Sequence, residues 1–530
     1  MGITLRRMGC LAGILLLEAA FVPCPAAGGG PELHFSNDFS LNYNDIAGPA
    51  RANSSLTQGY RYTDLLTANG NGKVGAYEYY FSAGGKATDD KRNDLKVFTL
   101  TNMQGHVGNG VHAVNLGDTF ESFSQYALAT SLKGGSYRFA KEGTNLPQVT
   151  AVFGYAYPRW DNFYGDHAVK VVERQAWGGR IKQNLGADLW AGGSVVRVVD
   201  TRRRSSADPL ENARVYTGDW EYKPISGLTV NGEHSWSDTD ESPLEGALNT
   251  RFNGNAQRLE AVGDADPSRV SLEFERVSHD YQTLLGAATP DRLKAKAKWR
   301  YLATKKVTLT SGLLWFRDDV DNQKSAPTQN WRPELGATLK SLPWRPYATT
   351  GLNYYFSRRY GPATASADHV FNLNYRDRFG ELDSDSNLGY TYYDSSRKTK
   401  EYTYNTTLSS RYNAGEVVLK PQAAAGGWTS NDELSMVSDR IYEFSLGCGV
   451  EIPRWKLTSE LKVGQNSLDR NGADNSRKAF ADMGIYYRPT LAKLRRTTFY
   501  VRGFLNEFRY TTASLDFRER SVTSGVNVEF

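Results

Sequence analysis

Long hydrophobic runs are missing from most of this sequence of 530 residues. Beyond the N-terminal segment, no stretch approaches the roughly 18 consecutive apolar residues of a membrane helix. The mean hydropathy is −0.54, and a helical membrane protein is therefore not expected. A membrane-spanning sheet remains compatible with this value, because half of each strand would face a polar interior and dilute the average.

Cysteine and strong net charge are missing as well. Once the N-terminal segment is removed, only Cys448 of the three cysteines remains, so no internal disulfide is expected. No Cys-x-x-Cys-His haem motif is present, and the histidines show no zinc-site spacing. The net charge of +5 gives no reason to expect nucleic acid as a partner. We predict no catalytic, metal-binding or cofactor-binding residue, no cofactor and no enzymatic activity.

The N-terminal segment has the layout of a secretory signal peptide. Arg6 and Arg7 precede a short apolar core at residues 11–22, and small residues follow, with cleavage expected after Ala26 or Gly28. The apolar core is too short to cross a bilayer. Residues 1–28 are therefore expected to be removed after export across the inner membrane.

Strict alternation of apolar and polar residues is the main positive signal. At residues 293–301, apolar and aromatic side chains alternate with Lys294, Lys296, Lys298 and Arg300. A helix would spread these cations around its cylinder, whereas a strand places them on one face. From about residue 165 onward one such hairpin follows another, and about nineteen strands can be marked.

The connections between these strands alternate in length. Short connections fall near residues 223–227, 264–268, 303–306, 340–345, 412–416, 452–455 and 489–494. Long polar connections fall near residues 200–212, 238–255, 277–290, 317–331, 357–367, 427–438, 465–477 and 509–518. Short turns on one side and longer loops on the other are typical of membrane β-barrels. A soluble all-β sandwich or a fibrous β-helix gives no reason for this alternation.

The sequence therefore predicts an all-β fold, a transmembrane antiparallel up-and-down β-barrel of about 24–26 strands. Residues 29–164 are less regular and would add five or seven N-terminal barrel strands to those of residues 165–530. Seven strands, and a total of 26, are preferred. In a second interpretation, part of 29–164 forms a small plug or a periplasmic piece.

The alternation also assigns side chains to two faces of the barrel. The residues predicted to face the lumen are Lys294, Lys296, Lys298, Arg300, Glu273, Glu275, Asn372, Asn374 and Arg376. Those predicted to face lipid are Leu313, Trp315, Tyr442, Phe444, Leu446 and Val450. The cations of residues 294–300 either select anions or a charged partner, or form cross-strand ion pairs with the two glutamates, and we favour ion pairing.

The last nine residues, 522–530, alternate strictly and end on Phe530. Together with the signal segment, this resembles the closing strand of porin-like Gram-negative outer-membrane β-barrels, in which the terminal aromatic strand is read by the assembly machinery. The resemblance implies location in the outer membrane of a Gram-negative bacterium. It implies contact with membrane lipid, lipopolysaccharide and the barrel assembly machinery, with Phe530 as the assembly signal.

Two further resemblances concern the contents of the lumen. The ladder of residues 165–530 is similar to the large barrels that sheath multihaem cytochromes, which implies a cytochrome as a lumenal or periplasmic partner. The stretch with Gly117-Asp118 and Lys133-Gly134-Gly135 resembles strands of usher-type export barrels. Neither resemblance supplies a motif whose individual residues can be assigned roles.

Three functions are consistent with a wide polar lumen. We favour a conduit that sheathes a partner protein, because about 26 strands enclose more space than side chains fill. The alternatives are a general or solute-specific diffusion porin and an export barrel for polysaccharide or protein. A porin should have a loop folded inward as a constriction, and the long loops show no obvious apolar segment that would fold in this way.

Deletion of Phe530, or the substitution Phe530→Asp, should reduce insertion into the outer membrane, because the terminal aromatic residue would no longer be presented to the assembly machinery. The measurement is the yield of folded barrel in outer-membrane fractions, read as heat-modifiable mobility on gels. Normal folding and an unchanged yield would contradict the role assigned to Phe530.

Overall fold

The computed structural model describes residues 32–163, 171–205, 208–242, 249–324, 326–361, 365–396, 398–471, 475–491 and 494–530. The signal peptide expected at residues 1–28 lies outside these ranges. Among the described residues, no helix has the length and apolar character needed to cross a membrane. Short 3₁₀ helices occur at Arg51–Asn53, Trp160–Asn162, Pro453–Trp455 and Ala513–Leu515.

The described chain is dominated by strands that pair with their neighbours in sequence. The first nine are β1 (Glu32–Ala47), β2 (Gly59–Val74), β3 (Tyr77–Thr88), β4 (Phe98–Gly108), β5 (His112–Phe120), β6 (Ser131–Phe139), β7 (Gln148–Tyr155), β8 (Glu173–Asn184) and β9 (Leu189–Arg202). The next nine are β10 (Leu210–Ile225), β11 (Leu228–Ser242), β12 (Thr250–Ala265), β13 (Ser268–Val277), β14 (Arg292–Thr304), β15 (Val307–Asp318), β16 (Gln329–Leu342), β17 (Arg345–Tyr360) and β18 (Ser366–Phe379). The last nine are β19 (Leu382–Asp394), β20 (Lys398–Ser410), β21 (Tyr412–Ala414), β22 (Val417–Asp432), β23 (Val437–Ile452), β24 (Leu457–Arg470), β25 (Ser476–Tyr487), β26 (Arg496–Tyr510) and β27 (Phe517–Glu529).

The sheet closes on itself. Strand β1 pairs antiparallel with β2 on one side and with β27 on the other, from Ser36 opposite Glu529 to Ala47 opposite Arg518. Strands β20 and β21 both pair with β22 and are two pieces of one wall strand. The result is a closed antiparallel up-and-down barrel of 26 strands, and the preferred strand number is confirmed. Seven strands precede residue 156, as the preferred count required.

Two-residue turns join many strands on one side of the barrel, for example at residues 226–227, 305–306, 380–381 and 415–416. Gly227, with φ of +83°, suits the left-handed backbone that tight hairpins require. Most connections on the other side are longer, so the predicted sidedness holds. Several of those loops are shorter than expected, since strands such as β22 and β23 continue until only residues 433–436 separate them.

The cross-strand register divides the side chains of the wall between an inner and an outer face. Alternate residues of β9, β10 and β12 pack against chain segments inside the barrel and define the inner face. Residues at the intervening positions lie on the outer face, where large apolar side chains are exposed. Exposed fractions there reach 38% at Leu313, 45% at Tyr442, 52% at Phe444 and 48% at Leu446. An apolar face that runs around a barrel suits a hydrocarbon surrounding, and in water it would promote aggregation.

Arginine at Leu446 or Leu313 should destabilise the folded barrel by roughly 2–4 kcal/mol each, if these positions lie near the centre of a bilayer. Lys296→Ala and Asn374→Ala, at positions of the inner face, serve as controls and should be tolerated far better. The measurement is the free energy of unfolding in lipid vesicles. Equal tolerance of both pairs would show that Leu313 and Leu446 do not contact lipid.

Candidate functional site: the lumen and its inner layer

Two connections fold into the barrel instead of extending away from it. They are residues 121–130, between β5 and β6, and residues 278–291, between β13 and β14; together we name them the inner layer. The two segments bind each other through backbone hydrogen bonds. The amide of Ala129 donates to the carbonyl of Leu285 at 2.9 Å, and the amide of Ala287 donates to the carbonyl of Gln125 at 2.7 Å.

The inner layer covers an apolar patch on the inner face of the wall. The buried cluster takes Phe123, Tyr126, Ala127, Leu128, Tyr281 and Leu285 from the layer, and Leu132, Val152, Ala176, Val196, Val198, Val215, Ala256 and Val277 from the wall. All of these residues are at most 6% exposed. The wall residues come from strands between β6 and β13, and among the described residues none comes from β14–β27. One sector of the barrel is therefore two layers thick.

The contact between layer and wall is close enough to constrain the sequence. A Cβ atom placed on Gly254, on the inner face of β12, would lie 2.2 Å from the backbone nitrogen of Tyr281. A Cβ atom on Gly286 would lie 2.1 Å from the carbonyl oxygen of Tyr126. Both positions require glycine because backbone approaches backbone there.

Two buried tyrosines connect the layer to polar groups of the wall. The hydroxyl oxygen of Tyr281 lies 2.9 Å from Oγ of Ser235 and donates to the carbonyl oxygen of Tyr126 at 3.2 Å. The amide of Tyr126 donates to Glu233 Oε1 at 3.3 Å. Burial raises the pKa of both phenols. They therefore remain protonated and available as hydrogen-bond donors at ordinary pH.

The far end of residues 278–291 is also fixed. Oδ1 of Asp291 accepts a hydrogen bond from the amide of Val320 at 2.7 Å, and Oδ2 lies 2.6 Å from Nζ of Lys324. Burial by itself would raise the pKa of the Asp291 carboxyl, but these hydrogen bonds outweigh it and lower the pKa. The hydrogen bond to Asp291 raises the pKa of Lys324 in turn. The segment is thus attached to the neighbouring loop as well as to the wall.

The expectation that no loop would fold inward was wrong. The apolar residues concerned are scattered along two short segments, and their partners lie far away in sequence, with 155 positions between Tyr126 and Tyr281. No periodic pattern marks such residues. A usable signal was the presence of Tyr281, Leu284 and Leu285 in a connection that was otherwise expected to be polar.

The charged residues predicted for the lumen share the inner face. Nζ of Lys294 lies 2.8 Å from Glu273 and 2.5 Å from Glu275, so this lysine forms the cross-strand ion pairs that were favoured. Lys296, Lys298 and Arg300 have no carboxylate oxygen within 4.0 Å among the described residues. Ion pairing therefore accounts for one cation of four.

Asn372, Asn374 and Arg376 lie at alternate positions of β18 and share a face with the lumen cations, according to the pairing of β14 through β18. Nε of Arg376 lies 2.7 Å from Asp385 Oδ2 on β19. Trp315 and Val450 fall on the opposite, outer face. Trp315 lies two positions after Leu313 on β15, and Val450 lies four positions after Leu446 on β23.

The stretch around Gly117-Asp118 and Lys133 closes a weak part of the wall. Strands β4 and β5 share five registered residue pairs, fewer than any other two consecutive wall strands described. Beyond those pairs, Asp118 accepts hydrogen bonds from the amide of Met103 and from Nε1 of Trp160, both at 2.8 Å, and lies 2.6 Å from Nζ of Lys133. Gly117 has φ of +94°. The contacts of this stretch are structural.

No group of three or more histidine, cysteine, aspartate or glutamate side chains is placed to hold a metal ion in the part of the chain that the structure describes. The arrangement within the lumen offers charged and polar surfaces and an apolar layer.

Four observations together define the architecture: a closed wall, an even strand number, short turns on one side, and an apolar outer face around a mostly polar interior. The chain has the fold of a porin-like outer-membrane β-barrel. The inner layer distinguishes this barrel from a plain cylinder, since it occupies part of the lumen beside β6–β13.

No family model matches the sequence, and no curated protein matches it. Solved barrels are similar to it in fold. The translocation pore of the P pilus usher PapC is 10% identical, with a TM-score of 0.42, covering 93% of this chain and 99% of the pore's chain. OccK3 (OpdO) of Pseudomonas aeruginosa is 10% identical, with a TM-score of 0.30, covering 94% of this chain and 96% of its own. A double variant of OccD1 (OprD) is 11% identical, with a TM-score of 0.35, covering 70% of this chain and 98% of its own. Likenesses of this size carry no conclusion about what passes through the lumen.

Tyr281→Ala should detach the inner layer from the wall while the barrel itself stays closed. Loss of a fully buried aromatic ring costs about 3–5 kcal/mol, and Tyr281 also links Ser235 of the wall to Tyr126 of the other segment. Limited proteolysis of the folded protein should then cut within residues 121–130 or 278–291. Tyr281→Phe keeps the ring, should cost about 1–2 kcal/mol through lost hydrogen bonds, and should leave the layer resistant. Equal resistance of both variants would mean that Tyr281 does not hold the layer.

Proposed function

We propose that this protein is an integral channel of the Gram-negative outer membrane, through which hydrophilic solutes diffuse passively. The observation that carries the proposal is the inner layer. It folds inward, seals one sector of the lumen with a dry apolar cluster, and leaves the polar faces of β14–β27 without such a cover among the described residues. A lumen narrowed from one side and lined by polar groups on the other is suited to selective diffusion.

The physics of the wall supports the proposed location in a membrane. Every backbone group of a strand in hydrocarbon must bond to a neighbouring strand, and only a closed sheet provides this. The apolar outer face, which includes Leu313, Tyr442, Phe444 and Leu446, would contact lipid. Export with a cleaved signal peptide and assembly through Phe530 complete this proposal.

The mechanism requires no chemical step. Solutes would move down their gradients through water in the lumen, and the wall would act through its shape and charge. Ion pairs such as Lys294 with Glu273 and Glu275 hold wall side chains in place. A non-enzymatic role is therefore part of the proposal.

The inner layer is the reason to prefer a diffusion channel over a sheath. A partner such as a multihaem cytochrome would need an unobstructed lumen, and the layer takes up part of it. Export through a plugged barrel is also less favoured, because residues 32–155 form seven wall strands and half of the inner layer. Both alternatives stay predictions of the sequence that the experiment below can favour.

In planar bilayers, the purified full-length barrel alone should give stable conductance steps, and liposomes that contain it should admit sugars at rates that fall with molecular size. Tyr281→Ala should raise the conductance and the size limit, because a detached layer no longer narrows the lumen. Tyr281→Phe is the matched control and should behave like the unaltered protein.

A folded and inserted barrel that gives no conductance would contradict the proposed channel function. Very large conductance that a periplasmic cytochrome lowers would favour a sheath. Conductance that appears only after disruption of residues 121–130 would favour a gated export barrel.

A further inference from the structure

Three cations at successive positions of the inner face of β14 have no carboxylate oxygen within 4.0 Å among the described residues. We name Lys296, Lys298 and Arg300 the cation row. Lys294, one step further along the same face, takes both nearby carboxylates, those of Glu273 and Glu275. The row is therefore left without an ion pair among the described residues, although strands β13 and β15 lie directly on either side of β14.

The register shows why no compensation is available. The residues opposite the row on β15, in order, are Leu314, Gly312 and Thr310. The residues opposite it on β13, in order, are Glu273, Ser271 and Arg269. The single carboxylate among these six belongs to Glu273, which already binds Lys294 at 2.8 Å.

Further positive charge adjoins the row. Arg269 stands directly opposite Arg300, an arrangement of like charges that destabilises a sheet unless something offsets the repulsion. Arg332 lines the same depression of the inner wall as Lys298 and Arg300. Glu334 neutralises Arg332 at 2.7 Å, and Asp264 lies 3.5 Å from Arg269. Glu334 also lines this depression, but neither carboxylate lies within 4.0 Å of a nitrogen of the row.

Neutral hydrogen-bonding groups complete this surface. The depression is also lined by Ser271, Thr310, Asn353, Tyr355 and Asn372. Lys298, Arg300 and Asn353 are exposed to the lumen, and Lys296 is half-buried. Cations beside amides and hydroxyls form a surface that can replace the water around an oxyanion, since all of them can donate hydrogen bonds.

We propose that the cation row is a binding track for solutes that carry several phosphate or carboxylate groups, and that it gives the channel a preference for such anions. Alternate residues of a strand are roughly 6.6 Å apart, so successive cations can hold successive anionic groups of one solute. Lysine supplies a mobile point charge, and Arg300 can bind an oxyanion through two hydrogen bonds. The substrate class rests on the proposed channel function, whereas anion binding to the wall does not.

The position of the row supports this assignment. The inner layer covers the wall up to Val277 on β13, and β14 is the next strand. A solute kept away from the covered sector would pass beside the row. Val277 pairs with Arg292, and Lys296 lies four residues further along β14, so the row starts near the covered sector and runs from it toward the short turn at residues 305–306.

The test compares two triple variants of the full-length barrel. Lys296→Gln, Lys298→Gln and Arg300→Gln remove the row. Lys420→Gln, Lys462→Gln and Arg502→Gln remove the same charge from another part of the inner wall, which also carries Glu460 and Asp482. Reversal potentials in a potassium chloride gradient report ion preference. Block of the current by tripolyphosphate or by citrate reports binding and distinguishes phosphate from carboxylate chemistry.

The unaltered barrel should prefer chloride and be blocked by at least one of the two probes. Loss of the row should weaken the block about tenfold, because exposed charge contacts are individually modest, and the control triple variant should keep it. Equal losses in both variants would show that overall lumen charge, not the row, attracts anions, and would overturn the proposal. Absence of block in the unaltered barrel would overturn it as well.

Calorimetric titration of the folded, detergent-solubilised barrel with the same two probes separates this inference from the channel function. Binding that depends on the row, in a barrel that conducts nothing, would refute the channel and retain the anion site. Conductance without anion binding would refute the site and retain the channel. High salt should weaken the binding, since it screens exposed charges.

Discussion

The closure of the sheet between its first and last strands is the constraint on which the rest of the structure depends. Hydrocarbon offers no hydrogen bonds, so an open edge in a membrane would leave a row of unpaired backbone groups, each costing several kcal/mol. Pairing of β1 with β27 removes both edges. The amide of Phe530 extends that pairing by donating to the carbonyl of Phe35 at 2.9 Å. The C-terminal residue therefore lies at the junction that completes the wall.

Closure separates the surroundings of the barrel from its lumen, and the polarity of the side chains differs accordingly between the two faces. The outer face can be apolar throughout because every polar backbone group is already bonded. The inner face can carry many charges because it is shielded from hydrocarbon and a lumen of this width has room for water. The inner layer is the exception, since it creates a dry region inside the polar interior. It is stable because its tyrosines and phenylalanine bury large apolar surfaces and because Ser235 and Glu233 of the wall bond to its polar groups. Its own Asp291 attaches it to the neighbouring loop through the amide of Val320.

Charge on the inner wall is mostly balanced locally. Lys294 with Glu273 and Glu275, and Arg376 with Asp385, show the usual solution, in which neighbouring strands exchange opposite charges. Lys296, Lys298 and Arg300 depart from it, and the departure is a consequence of register. A carboxylate on β15 in place of Gly312 or Thr310 would have paired with Lys298 or Arg300, respectively.

The sequence by itself determined the barrel. An alternation with period two is a local property, so it identified β14, β23 and β27, and loop length gave the sidedness. The number of strands was predicted as about 24–26, with 26 preferred. The same alternation placed Leu446 and Lys296 on opposite faces, although it left open which cations would be paired. Only the tertiary structure decided the inner layer, where Tyr126 meets Tyr281 across 155 positions. It also decided that Lys294 binds both glutamates, because side chains choose partners through distances that a linear pattern does not contain.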